Sequence, residues 1–419
     1  MGKKPLFYHE TKPSEEAASV LRSFPTTYDK KPLPTISAKA ARKLFCEHSN
    51  LTMISASPYK SIGYSKGKHK ISKGPCVLLL CLHKGYIPYG EEEFPRKIGG
   101  FEVDIQEGSC MLGIGGSLEI GGHIRRKGSK SAGFVNNNGK IGLITCAHGV
   151  LALHELKNRT IDRHNNADEV EAFVRKSRSF KVCGKIVTAE FPKNNEAIEC
   201  SVDAAFIELD SSFSVAGFRN VPAEQLISAG FDAHNPVAFR GTVILNERIG
   251  DTSGSVLKFG ARTGLTLGSL FNENMHVRIK YKETLKLYDS IGYTDIPCDV
   301  NVYNQMEIES LTHDNFFEVG DSGSLVFYIQ DDTLCCIGMA IGLTTRGTCL
   351  VTPIENILKS LGLPVNNSIF IPAETKLQSN IETDRILEAI DRQQKYIDRR
   401  FQEQKEEIEK YFEKIKKNE

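Results

Sequence analysis

The sequence predicts a mainly β protein, with a small α/β segment ahead of its β-rich body and one long helix behind it. Three observations carry that prediction. Apolar runs of strand length recur between residues 109 and 363, broken by glycine and asparagine turns. The turn Gly320-Asp321-Ser322-Gly323-Ser324 feeds directly into the apolar run Leu325-Val326-Phe327. Beyond residue 379 the apolar positions change period and fall three and four apart.

Residues 1–35 are rich in Lys, Pro, Ser and Thr without sustained periodicity, and are expected to form a flexible arm. A small α/β module is expected over 36–108. In it Ser37 caps a helix running to Phe45, Pro75–Leu82 and Phe101–Ile105 are strands, and Gly85–Gly90 is turn-rich. Residues 109–363 make the β-rich body. Its first half opens with short glycine-punctuated strands at Gly115–Ile120 and Ser131–Val135. Asn136-Asn137-Asn138-Gly139 has the composition of a hairpin turn and delivers the apolar strand that ends at His148. A polar, helix-prone insertion covers 151–176, with His154 and His164 as surface residues. Phe180–Val187 then returns to strand and leads to Asp203.

The second half of the body runs from about Val237 to Leu350. It holds paired, partly exposed strands over 272–310, the apolar strand Thr333–Gly342 and a closing helix at Val351–Leu358. A polar linker, 364–378, separates it from a coiled-coil helix at 379–419. There Leu387, Ile390, Gln394, Ile397, Phe401, Gln404, Ile408, Tyr411 and Ile415 form a narrow stripe among charged residues. Such a stripe is a seam for another helix, so a homo-oligomer or a partner helix is expected. The competing arrangement is one amphipathic helix docked back on the body.

The chemistry centres on Ser322. A serine between glycines on a tight turn presents its hydroxyl, with nearby backbone N–H groups suited to an oxyanion. The small residues Ala147 and Gly149 flank His148, so its ring can face a cleft. Asp203 stands where an apolar strand begins and is expected to be buried, as a carboxylate that orients an imidazole must be. Asp162, Asp168 and Asp210 are alternative orienters, but none of them begins an apolar strand.

The segments Thr145-Cys146-Ala147-His148, Val202–Leu209 and Gly320–Val326, in that order, resemble the T-A-A-H, D-I-A-L and G-D-S-G-G motifs of chymotrypsin/trypsin-like serine peptidases. Lys258 to Gly268 is similar to the K-x-G-x-x-T-G-x-T-x-G hairpin of intracellular and microbial members. The resemblance implies two six-stranded antiparallel β-barrels with a cleft between them. It also implies His148 as general base, Asp203 as its orienter, Ser322 as nucleophile, and the N–H groups of Gly320 and Ser322 as oxyanion hole. The substrate-binding residues it implies are Phe316, Phe317, Ala340, Ile341 and Gly342. No buried acid stands at the base of that pocket, which favours an apolar or small side chain before the cut. Ser324 departs from the usual second glycine. Arg96-Lys97-Ile98-Gly99-Gly100 resembles the junction cut in secreted zymogens, whose freed isoleucine amine would meet Asp321. It also reads as a turn feeding a strand, and in that reading the sequence names no partner for Asp321.

Composition narrows the rest. Hydrophobic residues at 40% and charged residues at 25% are those of an ordinary globular chain. A net charge of +1 argues against nucleic acid or an anionic membrane as partner. No apolar run reaches membrane-spanning length, and Met1–Leu6 lacks the apolar core of a signal peptide. Eleven scattered cysteines without a C-x-x-C pair indicate neither a zinc site nor a redox motif. The cysteines that secreted relatives carry beside the catalytic histidine and ahead of the nucleophile are absent, which points to a reducing, cytoplasmic setting. The expected function is a serine endopeptidase acting on protein or peptide substrates, with no metal or organic cofactor. The alternatives are an inactive protease-fold scaffold oligomerised by its tail, and a latent protease switched on by clustering.

Overall fold

Ser37 caps the first helix, α1 (Ala38–Glu47), as its place in the sequence predicts: its Oγ accepts the Ala40 N–H at 3.2 Å. The chain was analysed as a computed structural model that describes residues 33–62, 70–112, 124–125, 129–130, 133–137, 140–151, 155–156, 161, 168–174, 179–192, 199–210, 255–260, 262–280, 299–312, 314–330, 333–365 and 368–370. All of these belong to one unit, Met1–Arg219 with Val237–Ala373. Several expectations therefore lie outside the described residues. They are the arm up to residue 32, the strand Gly115–Ile120, Asn138-Gly139, His154, Asp162, His164, residues 237–254, most of the linker and the tail helix 379–419.

The strands among the described residues, in chain order, begin with β1 (Leu51–Ile62), β2 (Lys70–Cys81), β3 (Lys97–Ile98), β4 (Phe101–Glu107) and β5 (Cys110–Leu112). Then come β6 (Ile124–Arg125), β7 (Ser129–Lys130), β8 (Gly133–Asn137), β9 (Lys140–Thr145), β10 (Glu169–Val174), β11 (Ser179–Glu190) and β12 (Ala204–Leu209). The last are β13 (Ser255–Gly260), β14 (Gly264–Lys280), β15 (Asp299–Ser310), β16 (Leu325–Gln330), β17 (Thr333–Thr344), β18 (Cys349–Pro353) and β19 (Ser368–Phe370). Helices α2 (Ala147–Val150) and α3 (Ile354–Ser360) complete the set used below. The protein is mainly β, as expected.

The strands form two sheets. The larger has the order β13-β16-β17-β18-β15-β14-β1-β2-β4-β3, and β13 also pairs β14, so six of its strands close a ring. The smaller has the order β19-β8-β9-β12-β11-β10-β6-β7, and no pairing among the described residues closes that row. The neighbours along both orders are antiparallel except β2 and β4, which run parallel with Val77 opposite Val103.

The N-terminal segment is continuous with the larger sheet, because β1 pairs β14 with Met53 opposite Val277. The sequence reading has no strand at β1. Pro58 hides it, yet the proline sits at the register shift between Ser57 and Tyr59, where no ladder hydrogen bond is demanded of it. The first nine residues of β1 are all buried, so the alternation that marks a half-exposed strand is missing too. Ile98 pairs Phe101 across Gly99-Gly100, so this stretch is the turn feeding a strand. Val351–Pro353 finish β18, and the closing helix starts only at Ile354.

Helix α1 buries Ala38, Ala41, Leu44 and Phe45 against β1, β2 and Tyr303 of β15. Its C-terminal carbonyls are satisfied from outside: the Arg278 guanidinium of β14 donates to Phe45 O, His48 O (2.9 Å) and Leu51 O (3.3 Å). Beside it, His276 is fully buried, with Nε2 2.6 Å from Ile36 O and Nδ1 accepting the Asn304 N–H at 3.2 Å. A carbonyl on one side and a donor on the other fix the neutral Nε2–H tautomer. Burial accordingly lowers its pKa from 6.5 to about 4, against the bond to Ile36. The folded value lies below the unfolded one, so this stability is present above pH 6.5 and is lost as pH falls towards 4. At 1.36 kcal/mol per pH unit the loss approaches about 3 kcal/mol. Urea midpoints measured from pH 7 to pH 4 should fall less steeply in His276→Gln than in the native chain; equal slopes would refute the assignment.

Candidate active site

The pairing of β9 with β12 brings two distant residues together. Thr145 at the end of β9 lies opposite Ala205 near the start of β12. His148, three residues beyond the first, and Asp203, two before the second, therefore leave the same edge of the smaller sheet. The His148 Nδ1–H donates to Asp203 Oδ2, and the His148 backbone N–H donates to Oδ1 at 3.0 Å. The two side chains are 0% and 1% exposed. Both carboxylate oxygens thus hold one residue, fixing the ring's tautomer and its backbone. Of the alternative orienters, Asp168 is buried elsewhere, with its carbonyl accepting the Ile186 N–H at 3.0 Å, and Asp210 is exposed just after β12, its N–H donating to Cys183 O at 2.8 Å.

The segment before Asp203 is stitched to the larger sheet. The Ser201 N–H donates to Tyr303 O (3.1 Å), the Tyr303 N–H to Ser201 Oγ (3.1 Å) and Gln305 Nε2 to Ser201 O (2.9 Å). Thr352 Oγ1 in turn donates to Gln305 Oε1 at 2.7 Å. The carboxylate that orients His148 is held in register by β15 and β18, strands of the sheet that carries Ser322.

Asp321, beside the nucleophile, has a partner within the chain. Lys258 Nζ of β13 lies 2.9 Å from Asp321 Oδ2, and both side chains are 0% exposed. Thr263 Oγ1 (2.7 Å) and the Glu318 N–H (3.1 Å) also donate to Oδ2, and the N–H groups of Arg262 (2.7 Å) and Thr263 (3.3 Å) donate to Oδ1. A Cβ on Gly260 would stand 2.3 Å from Oδ1, so the residue there must be glycine. Burial alone would raise the Asp321 carboxyl. The Lys258 charge and the hydrogen bonds outweigh it and hold the group below its ordinary value. The K-x-G-x-x-T-G motif is in physical terms a cradle for this carboxylate. No amine released by cleavage at Ile98 is needed.

Gly320 takes φ +111°, a left-handed conformation open to glycine, as the turn before Ser322 requires. The Ser324 hydroxyl turns back to donate to Asp321 O at 2.6 Å, so the residue that replaces the usual glycine closes the turn. β17 receives that turn: the Gly323 N–H donates to Ala340 O (2.8 Å) and the Ala340 N–H to Ser324 O (2.8 Å). The Ser322 hydroxyl donates to Ile341 O at 3.3 Å. From the smaller sheet, Cys146 Sγ reaches Ala340 O at 3.6 Å, and Cys146, His148 and Asp203 each have a ligating atom within 4.8 Å of the others. Cys146, two residues before His148, and Ser322 thus reach consecutive carbonyls of one strand.

Phe316 and Phe317 lie in the core of the larger sheet with Val256, Ile308, Val326 and Ala340, where Lys258 Nζ is 5.3 Å from the Phe316 ring centroid. Their side chains are packing residues. Glu318 faces Arg262 at 3.7 Å on the surface. Burial pushes the Cys76, Cys183 and Cys200 thiols up to about 12, as expected of protonated core residues.

The chain matches no protein-family model and no curated protein. It is similar to several solved structures. A glutamic acid-specific serine protease has 16% identity and a TM-score of 0.32 over 58% of this chain and 97% of that one. Protease A of Thermobifida fusca has 16% identity and a TM-score of 0.33 over 62% and 99%. The chymotrypsin of Cellulomonas bogoriensis has 16% identity and a TM-score of 0.31 over 62% and 99%. Likenesses of this extent identify neither activity nor substrate.

What sequence reading missed is that Lys258, the first residue of the hairpin motif, is the partner of Asp321. Its signal was a lysine inside the apolar run Val256-Leu257-Lys258-Phe259, because a buried ammonium must have a partner. Removing one member of a buried pair strands the other, at about 3 kcal/mol or more. Lys258→Met should lower the unfolding free energy by about that amount, and Lys258→Met/Asp321→Asn should recover part of it. Additive losses in chemical denaturation would contradict the pairing.

Proposed function

We propose that this chain is a serine endopeptidase, with Ser322 as nucleophile, His148 as general base and Asp203 as its orienter. The observation that carries the reading is the doubly held His148–Asp203 pair; Cys146, two residues before His148, reaches Ala340 O of β17, next to the Ile341 carbonyl that holds the Ser322 hydroxyl. With Nδ1 committed to Asp203, Nε2 is the nitrogen for proton transfer. The Ser322 hydroxyl leaves Ile341 O and gives its proton to Nε2 as Oγ bonds to the scissile carbonyl carbon. The oxyanion meets the N–H groups of Gly320 and Ser322. Collapse breaks the C–N bond as the imidazolium returns the proton to the departing amine. Water then attacks the acyl-enzyme by the same route and frees the acid.

In this reading the two sheets are the two barrels of the chymotrypsin-like architecture, and substrates are proteins or peptides with an apolar or small side chain before the cut. The stripe over 379–419 supports self-association or pairing with a partner helix. The cysteine usage supports a reducing, cytoplasmic setting.

A fluorophosphonate probe tests the reading. It should label the native chain at Ser322 and leave Ser322→Ala unlabelled, while His148→Ala labels far more slowly. Asp203→Asn should lower kcat by about four orders of magnitude at unchanged fold. A folded native chain that resists the probe in every variant would leave the scaffold reading instead.

A further inference from the structure

The edge of β17 that faces the nucleophile turn is shared by three partners in succession. β16 pairs residues 333–339, the turn at Gly323-Ser324 takes Ala340, and β5 pairs Gly342 to Thr344. Leu112 lies opposite Gly342, Met111 opposite Leu343 and Cys110 opposite Thr344. Between the turn and β5 stands Ile341, whose carbonyl receives the Ser322 hydroxyl.

An extended peptide delivering a carbonyl to Ser322 would add itself as a strand to the sheet edge next to that hydroxyl. That edge is Gly342 to Thr344, and β5 fills it. The direction matches too. β5 runs antiparallel to β17, so its C-terminal end points towards Ile341 and Ser322, the sense in which the acyl side of a substrate must enter. Contact is close: a Cβ on Gly342 would stand 2.2 Å from Met111 O, so glycine is what admits the strand. Cys110 and Leu112 are buried there, 6% and 2% exposed.

We propose that β5 is a built-in inhibitory strand that occupies the acyl side of the substrate cleft and must leave before an extended substrate enters. This rests on Ser322 being the nucleophile. The strand is short, three paired residues, and its anchors lie just upstream. The Ser109 N–H donates to Thr345 Oγ1 (2.9 Å) and the Thr345 N–H to Ser109 O (2.8 Å). The Gly108 N–H donates to Cys81 O (2.9 Å), and Thr52 Oγ1 to Gly108 O (2.7 Å). Thr52 is in β1 and Cys81 ends β2, so the N-terminal sheet holds the strand in place. That gives the segment over 36–108 a task that the chemistry does not.

Two changes to the full chain test this. Met111→Pro breaks the pairing, and Met111→Cys/Leu343→Cys places thiols on directly opposed residues, to be locked by oxidation and freed by reductant. The first readout needs no catalysis: binding, in a Ser322→Ala background, of a fluorescent peptide copying residues 107–112. The second is kcat/KM on a hexapeptide substrate, with fluorophosphonate labelling as control for Ser322. If the closed form dominates by tenfold or more, release should tighten peptide binding and raise kcat/KM by at least about tenfold. Locking should lower both by a similar factor relative to the reduced form, with labelling little changed. Should Met111→Pro unfold, the oxidised and reduced forms of the cysteine pair decide alone. Equal binding of the peptide by released, native and locked chains would overturn the proposal. Loss of labelling everywhere, with binding still dependent on release, would instead remove the nucleophile reading and leave the occluding strand standing.

Discussion

The buried ion pair between Lys258 and Asp321 is the constraint on which the candidate site depends. Asp321 lies next to Ser322, inside the turn that leads into β16. A carboxylate out of water is tolerable only when it is neutralised and hydrogen-bonded. Lys258 supplies the charge, and Arg262, Thr263 and Glu318 supply the bonds. Because these donors come from β13, the hairpin into β14 and the turn itself, the nucleophile segment cannot shift without exposing an unpaired charge in the core.

His148 is held by different means with the same result. Asp203 uses both oxygens on His148, and the residues just before it are bonded into β15. Neither lobe positions the chemistry alone. The smaller sheet aims the imidazole, the larger sheet presents the hydroxyl, and β17 receives contacts from both, at Ala340 from Cys146 and at Ile341 from Ser322. An error in docking would appear first as a separation of those two contacts.

The parts of this arrangement legible in the sequence are those that local chemistry dictates. Ser37 reads as a cap because only its side chain can satisfy the first N–H groups of α1. Ser322, His148 and Asp203 stand out because turn glycines and apolar strand edges surround them. The parts that were not legible depend on residues far apart in the chain. β1 is buried on both faces and broken by Pro58, so neither alternation nor propensity reveals it. Phe316 and Phe317, expected at the substrate, are core residues, because position in a motif does not say which way a side chain turns. β5 is three residues long, below the length at which any period registers, and its meaning lies wholly in its partner.

The origin of the Lys258–Asp321 pair bears on how such a site could be controlled. When the cation comes from a newly cut chain end, the nucleophile turn is completed only after cutting, and activity waits on that event. Here both charges belong to the folded chain, and the Ile98 backbone that would have to supply an amine is engaged in the β3–β4 hairpin. The turn is therefore complete as soon as the larger sheet forms. Under the proposed function, control would then act on access rather than on the formation of the nucleophile. Among the described residues, β5 pairs the β17 edge next to Ile341, and its anchors run into β1 and β2. Under the proposed function, a permanently built turn and a covered edge are two halves of one design, in which β1 and β2 hold the strand that limits entry.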